Sequence, residues 1–403
     1  MGITPRQGSG TTPVRLKRER AILVGVAKRD IPLRRTKEHL EELARLADTA
    51  GADVVEKIMQ RRDSLDAATV VGQGKVKEIS VLAMQLKADL VIFDEDLTGS
   101  QIKNLEKEIT CKILDRSGII LDIFARHART ADAKIQVEVA QLEYSLPRLT
   151  NAWTHLSRQA GGVGIGMKGP GETQLETDRR LVRKRIADLK KKLEKMDGIR
   201  GAQHDRRIPL FHASLVGYTN AGKSTLMNSL TQAGVLAVDR LFATLDPTTR
   251  QLFLGRQRKA VLSDTVGFIR KLPPGLVSSF RSTLGVVSQA SCIVNVVDAT
   301  SSDREEQMEI TAKVLSDLGV AEIPQITVFN KIDLLDPEHL EVLREHHAGA
   351  VFVSAERRLG LDDLRAHLGE WHDRLAIAPV FETRSPKEPL NGSSDLGEWE
   401  RGT

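Results

Sequence analysis

Gly217-Tyr218-Thr219-Asn220-Ala221-Gly222-Lys223-Ser224-Thr225 is the stretch that decides how the rest of the chain is read. It follows the apolar run 211–216 and opens a helical pattern that carries Leu226 and Leu230. A strand, a glycine loop and a helix in that order make a cradle for phosphates. Gly217 and Gly222 let the backbone curl so that several N–H groups converge. Lys223 reaches the β- and γ-phosphates, and the Ser224 hydroxyl can ligate Mg²⁺. The full P-loop pattern is met in the strand-to-helix context it requires.

A P-loop alone does not name the base. Asp264-Thr265-Val266-Gly267 ends the apolar run 260–262. Asp264 can hold Mg²⁺ through water, and the Gly267 N–H can meet the γ-phosphate. Asn330-Lys331-Ile332-Asp333 ends the run 326–329. A carboxylate there accepts the N1–H and N2–H of guanine. Adenine lacks that donor pair and would leave the carboxylate unpaired, at about 1–3 kcal/mol. Ser354-Ala355 ends the run 350–353 and can set a backbone N–H on the guanine oxygen. Each motif is short. Four in this order, each at the C-terminal end of a predicted strand where open α/β sheets take their ligands, are specific together. They resemble the nucleotide motifs of a translation-factor-type GTPase, with GTP as substrate.

The Mg²⁺ position falls between Ser224 and a hydroxyl of the switch segment Phe242-Ala243-Thr244-Leu245-Asp246-Pro247-Thr248-Thr249. By likeness to related GTPases Thr244 is the first candidate, with Thr248 and Thr249 as alternatives. Lys223, Thr244 and Gly267 are then the groups at the reacting phosphate. Phe242 and Ala243 join the nucleotide-contacting set. A glutamine commonly follows the D-x-x-G glycine and orients the attacking water. Here the residue is Phe268, which cannot hydrogen-bond water and reads as a packing group. Unassisted turnover is expected to be slow, about 10⁻⁴ to 10⁻² s⁻¹, so that a partner must accelerate it. Asn220 is a candidate for holding K⁺ beside the phosphates; the alternative is an Asn that steadies its own turn.

The chain has 403 residues, room for two or three domains. Its net charge of +5 favours anionic partners only mildly. Between 151 and 210, however, Lys and Arg outnumber Asp and Glu by fourteen to seven, an excess larger than that of the whole protein. Cys111 and Cys292 lie far apart without metal spacing and read as buried, reduced thiols of a cytosolic protein. No secretory leader is read at the N-terminus, and no apolar run of about 18 residues spans a bilayer.

Residues 1–20 read as a disordered basic tail. Strand-like runs at 21–26, 53–58, 89–93 and 112–115 alternate with helical patterns at 37–50, 75–86 and 100–108, a parallel α/β domain over 21–130. Within it, Val70-Val-Gly-Gln-Gly-Lys75 has a phosphate-loop flavour without the full spacing. A glycine turn opening a helix is the preferred reading, and a second site acting on ATP the other.

The period then changes. Ile135, Val139, Leu142, Leu146 and Leu149 form one seam, and Leu175, Val182, Ile186, Leu189, Leu193 and Met196 another. They predict an antiparallel helical hairpin over 131–207. Between the seams lies Gly161-Gly-Val-Gly-Ile-Gly-Met-Lys168-Gly-Pro-Gly171, with six glycines in eleven residues. Such a tip cannot build a core but can approach a partner closely. Arg158, Lys168, Arg179 and Arg180 are candidate contacts to folded RNA. Residues 208–376 read as the nucleotide domain, with a strand at 291–298 and helices at 275–287, 304–318, 336–346 and 361–375. Residues 377–403 read as a flexible tail. The expected class is thus α/β: a P-loop GTPase domain, an N-terminal parallel α/β domain and an antiparallel helical hairpin linker.

Gly169-Pro-Gly-Glu-Thr-Gln-Leu-Glu-Thr-Asp-Arg-Arg180, preceded by Leu156-Ser-Arg-Gln and followed by this P-loop, resembles the HflX family of GTPases. Gln60-Arg-Arg-Asp63, Val71-Gly-Gln-Gly-Lys75, the segment 242–249 and Asp264-Thr-Val-Gly-Phe-Ile269 do so too. The resemblance runs from about 21 to 376. It implies a ribosome-bound GTPase of bacteria and organelles that acts on the large subunit and helps to split stalled or idle ribosomes under stress. It also implies that the hairpin loop points toward ribosomal RNA near the peptidyl-transferase centre. A cytoplasmic location, with peripheral membrane association left open, and a monomer off the ribosome go with it. Two other readings stay open: a ribosome-assembly GTPase, and an RNA-binding protein that uses GTP only as a conformational switch.

Overall fold

The alternating runs become two separate sheets in the computed structural model. It describes residues 18–29, 32–149, 170–204, 210–231, 241–242, 244–255, 258–273, 276 and 285–377. The first sheet is wholly parallel. Its strands are β1 (Glu19–Lys28), β2 (Ala52–Arg62), β3 (Leu90–Phe93) and β4 (Lys112–Asp115), in the order β2-β1-β3-β4. Helices α1 (Leu33–Thr49), α2 (Gln73–Gln85) and α3 (Gly99–Glu106) make the crossovers that parallel strands need. Residues 21–27 of β1 are buried without a break, as a central strand covered on both faces must be. The glycine turn at 72 caps α2, and its N–H donates to the Gln60 side chain at 2.8 Å. The sheet ends in Asp115, whose carboxylate accepts the Gly118 N–H at 2.8 Å and caps helix α4 (Arg116–His127).

Helix α5 (Ala131–Ser145) follows, capped by the Thr130 hydroxyl, and the long helix α6 (Pro170–His204) returns beyond residues 150–169. Their seams meet as expected: Ile135, Val139 and Leu142 pack with Ile186, Leu189 and Leu193. Arg185–Glu138 and Lys190–Glu143 ion pairs, each at 2.7 Å, flank the seam. The first seam leaves α-geometry at Ser145 and runs into a 3₁₀ turn, Leu146–Arg148. Pro147 has no N–H to continue the ladder. The glycine-rich tip, and with it Arg158 and Lys168, lies outside the described residues.

The second sheet has the order β10-β9-β8-β5-β7-β6. Its strands are β5 (Phe211–Gly217), β6 (Thr248–Phe253), β7 (Lys259–Asp264), β8 (Cys292–Asp298), β9 (Gln325–Asn330) and β10 (Val351–Phe352). All pairs are parallel except β6 with β7. The helices are α7 (Lys223–Thr231), α8 (Arg304–Asp317), α9 (Pro337–His346) and α10 (Leu361–Ile377). Of the helix expected over 275–287, the described residues hold Leu276 and a short turn, Gly285–Ser288.

Each sheet has its own core. The largest apolar cluster belongs to both halves. It joins Leu43 of α1, Ile120 and Phe124 of α4 and Val137 of α5 to Leu241, Phe242, Leu245, Phe268 and Ile269 of the nucleotide half. The segments flanking the P-loop are therefore built into an inter-domain core. Among the described residues no helix is long and apolar enough to cross a membrane.

Candidate nucleotide site

β5 runs to Gly217, where the backbone must turn hard against β8. Gly217 has φ +141°, and a Cβ there would stand 2.1 Å from the Val296 carbonyl oxygen. Gly222, at φ +91°, has the Asn330 amide nitrogen 2.2 Å from its missing Cβ. Only glycine fits either place. Between them Asn220 takes φ +62°, a region Asn enters at low cost. Lys223 opens α7 and folds back over the loop. Its ammonium donates to the carbonyls of Tyr218 at 2.8 Å and Gly217 at 3.2 Å. Burial pushes its pKa down to about 8, against the opposing pull of Asp264.

Three oxygens meet at the next residue. The Ser224 hydroxyl donates to Asp264 Oδ2 at 2.5 Å and lies 2.8 Å from the Thr244 hydroxyl. Thr244 donates to the same Oδ2 at 3.1 Å. Burial raises the Asp264 pKa, while Lys223 works the other way. Its other oxygen, Oδ1, is buried without a hydrogen-bond partner. A buried carboxylate oxygen left bare is costly, and a cation removes that cost. Two hydroxyls and a carboxylate are hard oxygen donors of the kind Mg²⁺ takes together with water and phosphate oxygens, so the residues fit that ion. Thr248 and Thr249 instead begin the edge strand β6, and Thr249 bonds the Ser263 hydroxyl at 2.8 Å.

The P-loop and the 264–271 segment are zipped together. The Thr219 N–H donates to the Phe268 carbonyl at 2.7 Å, and the Phe268 N–H to the Gly217 carbonyl at 3.0 Å. A Cβ on Gly267 would lie 2.8 Å from Thr219 Cα and 2.9 Å from the Lys223 ammonium. Thr265 donates to the Leu215 carbonyl at 2.7 Å, and Val266 is buried beside it. Phe268 is 1% exposed, inside the shared core.

On the base side Asn330 is a brace. Its amide donates to the Ala221 carbonyl and its oxygen accepts the Ala355 N–H, both at 2.9 Å. It thus ties the P-loop to the 354–355 turn, which the Ser354 hydroxyl steadies by accepting the Arg357 N–H at 3.0 Å. Lys331 has φ +67° and pairs with Asp298 at 2.7 Å. Asp333 sits half-buried in the 3₁₀ turn Ile332–Leu334. All of these lie at the C-terminal ends of parallel strands. Thr225 is the third residue of α7, and Ala243 lies outside the described residues. The RNA candidates Arg179 and Arg180 are neighbours on α6, the latter exposed.

Sequence reasoning missed how the N-terminal half holds this site. The Tyr218 hydroxyl donates to Glu42 of α1 at 2.7 Å and accepts the Arg270 N–H at 2.9 Å. Burial and the neighbouring Glu42 push the Tyr218 pKa upward. Arg116, 1% exposed at the head of α4, donates to Asp94 at 2.7 Å, to Glu42 and to the Arg270 carbonyl at 3.2 Å. Burial opposes its charge, yet Glu42 and Asp94 hold its pKa above the ordinary value. Arg270 also reaches Glu42 at 3.1 Å, and Lys271 pairs with Asp94 and Glu95 at 3.1 Å each. On the other side Phe242 meets Phe124 edge-on, with ring centres 4.6 Å apart. Asp246 binds the start of α5. No spacing rule announces these partners. The one signal is Arg116 itself, a charge heading an apolar helix that only paired acids keep inside.

Three family models match in sequence: "GTP-binding GTPase N-terminal" over 37–125, "GTP-binding GTPase Middle Region" over 127–207 and "50S ribosome-binding GTPase" over 212–331. The GTPase HflX of Caldanaerobacter subterraneus subsp. tengcongensis is 48% identical over 351 residues, 86% of this chain and 79% of that protein. The GTPase HflX of Escherichia coli is 43% identical over 337 residues, covering 83% and 79%. Among solved structures, SsGBP in complex with GDP aligns over 89% of this chain and 100% of its own, with a TM-score of 0.50 at 25% identity.

Proposed function

We propose that this chain, which belongs to the HflX family of GTPases, uses GTP on the large ribosomal subunit to dissociate or rescue stalled and idle ribosomes, notably under stress. It is a GTPase. The finer reading rests on one observation. The residue that follows the D-x-x-G glycine is a buried phenylalanine, packed in a core shared with the N-terminal half. A site built this way binds and orients GTP but lacks its own water-orienting amide, and so waits for a partner.

Each residue then has a task. Backbone N–H groups of the loop 217–225 hold the phosphates, and Lys223 offsets their charge. Ser224 and Thr244 would hold Mg²⁺ directly and Asp264 through water; the ion would neutralise phosphate charge. The Gly267 N–H meets the γ-phosphate, in space that a side chain would fill. Asp333 reads guanine, while Asn330, Ser354 and Ala355 fix the walls of its pocket. Asn220 is the group to test for K⁺. Arg158, Lys168, Arg179 and Arg180 would serve contacts to ribosomal RNA, with the hairpin as docking element. A ribosomal partner makes the cytoplasm the working place.

The test is GTP turnover with and without purified large ribosomal subunits in K⁺ buffer, repeated in Na⁺. Acceleration by the large subunit alone supports the proposal, with loss of turnover in Lys223→Ala as control. Tight GTP binding without acceleration refutes it. A Lys223→Ala variant that still splits ribosomes would favour GTP as conformational ligand only. Immature subunits accumulating in a deletion strain would favour assembly.

A further inference from the structure

Asp246 lies two residues beyond Thr244, on the same short segment. Its Oδ2 accepts the N–H groups of Arg129 at 3.2 Å and Thr130 at 3.3 Å, and its Oδ1 accepts the Thr130 hydroxyl at 2.5 Å. Thr130 is the N-cap of α5, and its hydroxyl oxygen accepts the Ala133 N–H at 3.2 Å. The segment that carries the magnesium candidate is therefore fastened, through one carboxylate, to the first turn of the hairpin's first helix. Its apolar side chains finish the seat: Leu241, Phe242 and Leu245 are 4%, 2% and 2% exposed, in the core that holds Phe124, Ala133 and Val137.

We propose that Asp246 is a positioning residue that couples the magnesium site to the base of the hairpin: it seats Thr244 by binding the start of α5, and the start of α5 is ordered in turn when Thr244 is held. The coupling is direct because the contact chain is short. Thr244 touches Ser224 and Asp264 on one side, and Asp246 touches Thr130 on the other. Linkage is reciprocal, so whatever orders this segment at the phosphate end tightens the cap, and whatever pulls the hairpin loosens Thr244. A negative charge at a helix N-terminus is stabilising, and hydrogen bonds to a carboxylate are stronger than neutral ones. This proposal rests on the reading of Thr244 as a metal ligand.

The experiment uses the full-length chain loaded with a fluorescent non-hydrolysable GTP analogue, with nucleotide release followed as free Mg²⁺ is titrated. Asp246→Ala should raise the Mg²⁺ midpoint by about three- to tenfold, the usual net loss when a hydrogen-bonded partner is removed. Asp246→Asn, which keeps one acceptor oxygen, should fall between. Thr130→Ala should shift it less, since both N–H donors remain, and Thr130→Ser should restore the native midpoint. The independent readout is hydrogen exchange at the amides of residues 131–134. In the native chain it should speed up when Mg²⁺ is chelated, and in Asp246→Ala it should be fast in both states. An unchanged midpoint in Asp246→Ala and Asp246→Asn, beside a shifted one in Thr244→Ala, overturns the coupling. An unchanged midpoint in Thr244→Ala overturns it too, and identifies the metal reading as the failed premise.

Discussion

Lys223 is an ammonium enclosed by backbone, and its pKa of about 8 turns that enclosure into a measurable pH dependence. In the free protein it is half deprotonated at about pH 8. A bound triphosphate restores the charge, so binding takes up a proton there. GTP affinity should hold up to about pH 8 and then weaken by up to tenfold per pH unit. The nucleotide-free fold moves the other way. This lysine has a lower pKa folded than unfolded, so the unfolded chain binds more protons between the two values. Stability from this group alone therefore rises as pH climbs through 8 toward 10. Titration calorimetry in buffers of different ionisation enthalpy reads the proton uptake, denaturant titration reads the stability, and a pH-flat affinity would contradict the enclosed ammonium. Phe268 gives a second test. Phe268→Gln supplies the amide that simpler GTPases use, yet the side chain faces an apolar core. The variant should lose about 2–4 kcal/mol by denaturant titration and gain no turnover, because the amide points away from the phosphates.

At the scale of elements, the four nucleotide motifs were legible because each needs a fixed residue type at the end of a strand, and the strands end where the apolar runs do. Gly217, Gly222 and Gly267 are glycines for the reason the motifs imply: a Cβ at any of them meets an atom within 3 Å. The seam of α5 with α6 was legible from spacing alone. β6 was not, since Thr248–Phe253 has one fully buried side chain, Leu252, and its first two residues read as part of the switch segment. The grip of α1 and α4 on the 264–271 segment was not legible either, because Glu42, Asp94 and Arg116 become partners only when two surfaces meet. That grip has an energetic signature. Glu42→Ala leaves Arg116 and Arg270 short of a buried counter-charge and should cost about 3–5 kcal/mol. Pairing it with Arg116→Met should cost less than the sum of the two, since each removes the other's missing partner. Equal additive losses in a double-mutant cycle would mean that the charges act independently.

For the molecule as a whole, what matters is whether the two sheets behave as one body. Among the described residues no strand pairs across the halves, and each sheet keeps a core of its own. Beside the Asp246 contact, they are joined by the shared apolar cluster and the ion network of Glu42, Asp94, Arg116, Arg270 and Lys271, and both run through the segments that flank the phosphates. A domain boundary of the ordinary kind carries a polar, separable interface. Here the interface includes Phe124, Phe242 and Phe268, each 2% exposed or less, so parting the halves uncovers large apolar groups together with paired charges. The halves should therefore unfold together. A non-hydrolysable GTP analogue at a hundredfold its Kd adds about 2.7 kcal/mol to whatever unit binds it. If that unit is the whole chain, hydrogen exchange should slow in β1, β3 and α4 by as much as in β5 and β8, although none of the candidate nucleotide residues lies in the first sheet. Protection confined to the second sheet would mean that the N-terminal half opens on its own. A nucleotide signal at the phosphates would then reach the hairpin through the Asp246 contact alone, without the help of the shared core.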